Sequence, residues 1–419
     1  MGLLLALLLA QPVADPAGPI VSSPAGRFAF FELAPASGAG MGTACACAAV
    51  TGAKGEAVSW TRSSSAYCTK EGLATTGLTT TSMVSCSNNL PRVESDGAGL
   101  GVLVERGVTN VVLRSEEIDN VAFTKNGIGA AAPTVTADQA VTPWGTTTAE
   151  RVQFAATTST QTSTVFQTSG TVFGGSVSSS CSLYVRGNAT SGTIQLAVDN
   201  GAGTFTCTSC PFVSATWNRC VGAFTSAAAA PTVIFGNDSR AAICGTASTS
   251  AADVFISGVQ CETGKAYATS YVATAAASVA RSADAASATI APPTANGGCV
   301  AATVTPSAQT TAELSFTMMT GFTGASIFLG SFAAATPRIL AGANSVNTSF
   351  TAGRQRYRAT DDGTTLSVFY GANTNTTAAA TPAQRIGTSL CIGSGCSSAE
   401  LDGLIASIQV DTSPARCTP

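Results

Sequence analysis

Apolar and polar residues alternate with period two over most of the chain, the spacing of strands with one face buried and one face wet. SLYVRG (182–187) and TIQLAV (193–198) alternate in this way, and DNGAG (199–203) separates the second from TFTC (204–207). Asp, Asn and Gly at that point are hairpin-turn chemistry, so the segment predicts a meander. The alternation returns at 316–319, 326–329, 356–359 and 366–370, with DDGT (361–364) as the turn before the last of these. A second sandwich is implied. The stretch 155–180 is rich in Thr and Ser, but the interleaved Val165, Phe166, Val172 and Phe173 argue for strands rather than a mucin-like stalk. The predicted fold class is all-β: tandem antiparallel β-sandwiches of jelly-roll type, stapled by disulfides.

The punctuation between these blocks sets an expected organisation. Residues 273–296 are rich in Ala, Ser, Thr and Pro and run into APPTANGG (291–298), which places a linker and a boundary near Pro292. The amino terminus, MGLLLALLLA (1–10) followed by a Pro/Gly/Ala-rich stretch to Gly26, has the short apolar core of a signal peptide with cleavage after Ala10. No Lys or Arg precedes that core, and a strand or anchoring segment is the competing reading. No other apolar run approaches the ~20 residues needed to span a bilayer. The expected division is a leader over 1–20, an amino-terminal β region over 21–100, a jelly roll over 101–291 and a second sandwich over 292–419.

Composition removes several function classes. The chain has 419 residues, of which 10% are charged and 45% hydrophobic, the latter mostly Ala and Val, with 42 Gly. Small side chains with many turn formers suit strands and disfavour long helices. A net charge of −3 with Lys and Arg occurring singly gives no footprint for nucleic acid. The absence of His removes the commonest general base and metal ligand, and no cofactor is called for. The 14 Cys fall into even blocks: four from Cys45 to Cys86, six from Cys181 to Cys261, and four from Cys299 to Cys417. Even blocks point to self-contained oxidised domains and an oxidising compartment.

The candidate chemistry is sparse. Cys45 with Cys47, and Cys207 with Cys210, have spacings that two halves of a zinc site would use, but disulfides are the stronger reading in such a compartment. A redox role for Cys207 and Cys210 lacks the helix N-terminus it needs. Cys220 joins the disulfide candidates. Adjacency of first and last strands in the final sandwich pairs Cys299 with Cys417, leaves Cys391 with Cys396 across a short loop, and the same logic pairs Cys244 with Cys261. Six Cys alone allow 15 connectivities. The close carboxylates are Glu116 with Glu117, Asp361 with Asp362, and Glu400 with Asp402. Neighbours on a strand face opposite ways, and Asp361-Asp362-Gly363 reads as a turn rather than a catalytic or calcium-binding pair. Of the three Trp, Trp60 and Trp217 lie in strand-like segments and suit a core. Trp144, in a Pro-Trp-Gly loop, is the candidate ligand-binding ring.

One long segment carries a family resemblance. LVERGVTNVVLRSEEIDNVAFTK (103–125) resembles the signature "L-E-x-x-x-T-N-L-x-x-x-S-E-x-F-x-N-x-x-W-x-K" that opens jelly-roll domains of phage tail-fibre and tail-spike-like proteins. VSWTRSSSAY (58–67), LPRV (90–93), PWGTTTAER (143–151), WNRCVGAF (217–224) and the closing VFISGVQCETG (254–264) with TSYVAT (269–274) resemble further blocks of that family, in order. Phe123 and Cys261 stand where the family has Trp and Leu, and the extra Cys residues suit an exported relative. The resemblance implies attachment to a cell-surface glycan or receptor. GRQRY (353–357), DGTTLSVFY (362–370) and LDGLIASIQV (401–410) resemble concanavalin/laminin-G-like sandwiches more loosely.

Together these readings give a non-enzymatic, secreted or surface-displayed adhesive protein that binds a glycan or receptor, with self-association as homo-oligomer or trimer as a second kind of partnership. The alternative is a structural subunit of a virion, filament or surface layer. A glycan-cleaving enzyme is the weakest of the three.

Overall fold

The computed structural model describes residues 58–69, 76–80, 82–95, 100–244 and 250–289, together with the terminal strands named below. All regular structure among these residues is strand, and every paired strand runs antiparallel to its neighbour. The all-β, sandwich-type fold expected from the alternation is therefore present. No helix among the described residues is long and apolar enough to cross a membrane. The leader, Cys396 and Cys417 lie outside the described residues, as do Glu400 and Asp402.

The central sandwich consists of two five-stranded sheets. One runs in the order Thr134–Ala140, Ala149–Phe154, Ala252–Thr263, Val177–Gly187, Asn218–Ser226. The other runs Phe205–Phe212, Gly192–Asp199, Thr232–Asp238, Thr162–Thr168, Thr124–Ile128. Inward-facing Val152, Phe154, Leu183, Val185, Val254 and Ile256 of the first sheet meet Val165, Ile194, Leu196, Val198 and Phe235 of the second in one continuous core. The hairpin read from DNGAG forms as expected: Asp199 lies opposite Phe205, and the Asp199 carboxylate accepts the Gly201 and Gly203 N–H groups at 2.9 Å. Both glycines have positive φ, a conformation that a side chain would strain.

The strands outside this sandwich pair across almost the whole length of the chain. Leu100–Val104 lies beside Arg92–Ser95 on one side and Gly403–Asp411 on the other. That sheet continues through Gly298–Pro306, Gln355–Asp361, Thr365–Tyr370 and Asn373–Ala378, and also takes in Ala46–Cys47 and Arg27–Glu32. A seven-stranded sheet runs from Asn344–Asn347 through Thr336–Ala341, Ile327–Phe332, Met318–Thr320, Ser389–Gly393 and Ala285–Thr289 to Val58–Thr61. Segments from 21–100 and from 292–419 thus share both outer sheets. The first and last strands after Pro292 lie side by side, with Cys299 opposite Asp411, but no Cys299 pairing is described.

The chain passes into the central sandwich through Val108–Asn110 and out through Val279–Arg281, which pair with each other. Just outside that pair, the Asp284 N–H donates to the Glu105 carbonyl at 2.9 Å. A sandwich reached and left through adjacent strands can be accommodated between two strands of another sheet system without separating them.

Three disulfides are described in the central region. Cys181 and Cys261 sit directly opposite each other on neighbouring strands of one sheet. Cys210 and Cys220 link the edge strand of one sheet to that of the other, and Cys207 is joined to Cys244. This corrects the expected Cys244–Cys261 pair: Cys181, opposite Cys261 in the strand register, is its partner. Cys207 and Cys210 each bond elsewhere, which removes both the zinc and the redox readings of that spacing. Cys68 and Cys86 are also disulfide-bonded, though their own sulfurs are 3.7 Å apart. No described cysteine is free.

Candidate functional site

Where the amino-terminal strands meet the central sandwich, polar groups accumulate in an otherwise apolar protein. The hairpin of Ala66–Thr69 with Met83–Cys86 lies there, and Leu78 and Trp217 exchange backbone N–H···O bonds at 2.9 and 2.7 Å. Beneath the hairpin runs a buried ion network. Asp284 accepts from Arg62 at 2.9 Å and from Arg92, while Glu105 accepts from Arg92 at 2.7 Å and faces Arg281 at 3.4 Å. Burial alone would raise the Glu105 carboxyl, but Arg281, Arg92 and Lys265 outweigh it and hold it well below the usual carboxylate range. Its other oxygen takes the Ser270 N–H at 2.9 Å. Charges so far from water persist only when paired and hydrogen-bonded in this way.

Above this network opens a cleft of about 90 Å³. Tyr67, Tyr184 and Tyr271 form its aromatic wall, Glu94, Glu105 and Arg219 bring charge to it, and Thr69, Thr269 and Ser270 bring hydroxyls. It has room for several waters or one small polar substituent, and is below the ~300 Å³ of a pocket that encloses a whole ligand. Glu94 is 2% exposed, and one of its oxygens accepts the Thr69 N–H at 3.0 Å. Burial, opposed by Arg92 and reinforced by Glu105, pushes its carboxyl up to about 8. Two carboxyls on one cleft are thus held in opposite states: Glu105 ionised, Glu94 protonated at neutral pH.

Arg219 reaches the cleft from Asn218–Ser226. Its guanidinium lies over the Tyr184 ring at 5.2 Å and donates to the Ser182 hydroxyl at 3.1 Å. Its Nε has no hydrogen-bond partner. Unlike Arg62, Arg92 and Arg281, it is joined to no carboxylate among the described residues.

The residues singled out from sequence fall unevenly about this site. Trp144 is half-buried rather than a free platform, its ring stacked on Tyr271 at 4.6 Å between centroids and edge-on to Tyr184 at 5.6 Å. The Pro-Trp-Gly loop folds inward over those rings, so Trp144 backs the cleft wall. Trp217 is fully buried, as its strand position suggested, and its indole N–H donates to the Val141 carbonyl at 3.2 Å. Glu116 and Glu117 sit in a turn, not on a strand, and part company there. Glu116 accepts from Thr148 and Tyr271, whereas Glu117 pairs with Arg114. Asn237, in an Asn-Asp-Ser triplet, is fully buried and donates to the Ala155 and Ser250 carbonyls. No cluster of metal-ligating residues occurs among the described residues.

Glu105 and Arg219 lie inside the segments 103–125 and 217–224 and Glu94 directly follows LPRV (90–93), but none was singled out, because a strand motif does not say which of its side chains meet. The available signal was contextual: Arg92 and Glu94 sit two apart on one strand, and Glu105 directly follows the apolar Leu103-Val104. Such placements turn charge inward, and in a chain so poor in charge they mark a built feature.

No sequence model of a known family matches the chain, and no curated protein matches it. Among solved structures it is similar to the CBM22-1–CBM22-2 tandem domain of Paenibacillus barcinonensis Xyn10C, at 9% identity over 74% of this chain and 99% of that one, with a TM-score of 0.28. It is also similar to domains LG4-5 of the mouse laminin α1 chain, at 11% identity over 56% of this chain and 82% of that one, TM-score 0.23. The full extracellular region of zebrafish Gpr126/Adgrg6 gives 12% identity over 61% of this chain and 37% of that one, TM-score 0.23. Overlaps this low carry nothing about ligand or activity.

Proposed function

We propose that this protein is a non-enzymatic adhesive protein, exported or displayed on a surface, that binds a cell-surface glycan through the cleft between its amino-terminal hairpin and its central sandwich. The observation that carries the reading is the composition of that cleft. Aromatic faces beside fixed hydroxyls, a carboxyl and a guanidinium are the groups that recognise sugar, which has apolar C–H faces and hydroxyl edges. The small volume suits one substituent of a glycan laid across the surface. Trp144 contributes by holding Tyr271 in place. The resemblance of 103–125 to tail-fibre jelly rolls supports the same role, and the disulfides support an oxidising destination.

The non-catalytic part of the proposal rests on Glu105. Glycoside hydrolysis takes two carboxyls, one to donate a proton and one free to act as nucleophile or base. Both Glu105 oxygens are engaged, one by arginines and one by the Ser270 N–H. That leaves Glu94 without a second carboxyl. The organisation that accompanies this reading is a jelly roll within about 101–291, entered at Val108–Asn110 and left at Val279–Arg281, carried by an outer unit whose sheets take strands from both sides of it.

The test is an array of neutral and acidic oligosaccharides probed with the purified chain and with Tyr67→Ala. Retention by the wild type, lost in a folded Tyr67→Ala protein, supports the proposal. Assembly into trimers or regular polymers without affinity for any sugar favours the structural-subunit reading. Turnover of a bound polysaccharide overturns the non-catalytic part.

A further inference from the structure

We infer that the cleft takes a sugar carboxylate, seated on the Arg219 guanidinium beside the Glu94 carboxyl, so that the protein selects acidic over neutral glycans. The inference rests on the cleft being the binding site and adds the class of ligand.

It starts from Arg219, a guanidinium that lines the cleft and has no carboxylate partner among the described residues. Arg219 is half-buried and meets the Ser182 hydroxyl and the Tyr184 ring face, with Nε unpaired. A partly desolvated guanidinium without a carboxylate is costly to leave in this state, and an incoming carboxylate can accept from the guanidinium N–H groups that Ser182 does not take. The ring and the hydroxyl hold the guanidinium in place beforehand, so little side-chain freedom is lost on binding. The arginines below cannot serve: Arg62, Arg92 and Arg281 are occupied by Asp284 and Glu105.

Glu94 makes the selection depend on pH. The groups that face it are Arg92 and Glu105 from beneath, the Thr69 N–H from the hairpin, and Tyr184 across the cleft. Arg219, Tyr67 and Tyr271 line the same space, the Tyr271 hydroxyl being turned to Ser115 and Glu116. Burial keeps the carboxyl protonated up to about pH 8. In that state it donates a hydrogen bond to a ligand oxygen. Once ionised it stands as a negative charge beside the incoming carboxylate and repels it.

The experiment compares oligogalacturonate with the same oligomer fully methyl-esterified, and sialyllactose with lactose, by titration calorimetry at pH 6.5 and pH 9. The expected result is that at least one free acid binds and its uncharged counterpart is weaker by about 30-fold or more, the penalty for losing a desolvated charge pair. Arg219→Ala should abolish this preference, and Arg219→Lys should recover part of it. Wild-type affinity for the acid should fall about tenfold or more at pH 9, whereas Glu94→Gln should bind equally at both values. Whichever acid binds identifies the source of the carboxylate. Equal affinity for acid and uncharged partner overturns the inference and leaves the cleft as a glycan site. Neutral array ligands lost in Tyr67→Ala, with no acid bound, do the same. No affinity for any sugar overturns both. The ester comparison on wild-type protein stands even if an Arg219 variant fails to fold.

Discussion

The Arg62 guanidinium donates to the Asp284 carboxylate at 2.9 Å with both side chains wholly buried, across 222 residues of sequence. Asp284 also accepts from Arg92 and from the Glu105 backbone N–H, so one carboxylate ties the amino-terminal strands to the place where the chain leaves the central sandwich. Removing it leaves two buried guanidinium groups short of a partner. Asp284→Ala is expected to destabilise the protein by about 3–5 kcal/mol, the range for breaking one side of a buried pair. Urea unfolding followed by circular dichroism measures it.

The disulfides are expected to differ in what they contribute. Cys181–Cys261 spans 80 residues and Cys210–Cys220 spans 10. On the chain-entropy account the longer closure contributes about 4.5 kcal/mol and the shorter about 2.7 kcal/mol. Paired Cys→Ala replacements at each site, compared by denaturant midpoint, should show the larger loss at Cys181 and Cys261.

Stability should fall as pH rises from mildly acidic to mildly alkaline values. Glu94 and Glu150 are raised in the folded protein, to about 8 and about 9, in each case chiefly by burial. Between the ordinary carboxylate range and those values the folded chain holds protons that the unfolded chain has released, so unfolding becomes easier with each step upward in pH. Above about pH 9 this contribution is spent and the slope from these two groups vanishes. Glu105 has the opposite sign: its paired carboxylate stabilises the fold at neutral pH, and that stability is lost in strong acid. Glu94→Gln should flatten part of the slope between pH 5 and pH 8 in a series of thermal melts.

Trp144 is expected to matter for stability more than its loop position suggests. It touches Tyr67, Tyr184 and Tyr271. Trp144→Ala should cost about 3 kcal/mol, the lower end for truncating a packed aromatic ring, while Trp144→Phe should cost less. Thermal melts of the two variants distinguish a packed ring from an exposed platform, which would show no loss.

Strand identity was legible from the period-two alternation, even where, as in 182–187 and 193–198, the strand is buried on both faces. The pattern of 182–187 and 193–198, and the turn between 198 and 204, were read from side chains alone because a period of two and an Asp-Asn-Gly turn are local properties. Partnership was not legible in the same way. That Leu100–Val104 lies beside Gly403–Asp411, or Val58–Thr61 beside Ala285–Thr289, is decided by contacts distant in sequence, and a strand does not carry its partner's name. The same limit produced the expected Cys244–Cys261 pair, since register alone puts Cys181 opposite Cys261. Trp144 misled for a related reason: a loop between Pro and Gly suggests exposure, and only the packed rings beneath it show otherwise. Glu94, Glu105 and Arg219 meet from three separate strand regions.

The central claim is that a glycan binds at the cleft, and backbone hydrogen exchange with and without an array-selected oligosaccharide tests it most directly. The account predicts slowed exchange in 66–69, 92–94 and 267–271, with the far end of the central sandwich, including the 199–204 hairpin, unchanged. Protection confined to that hairpin or to 355–378, with the cleft segments unaffected, would contradict it.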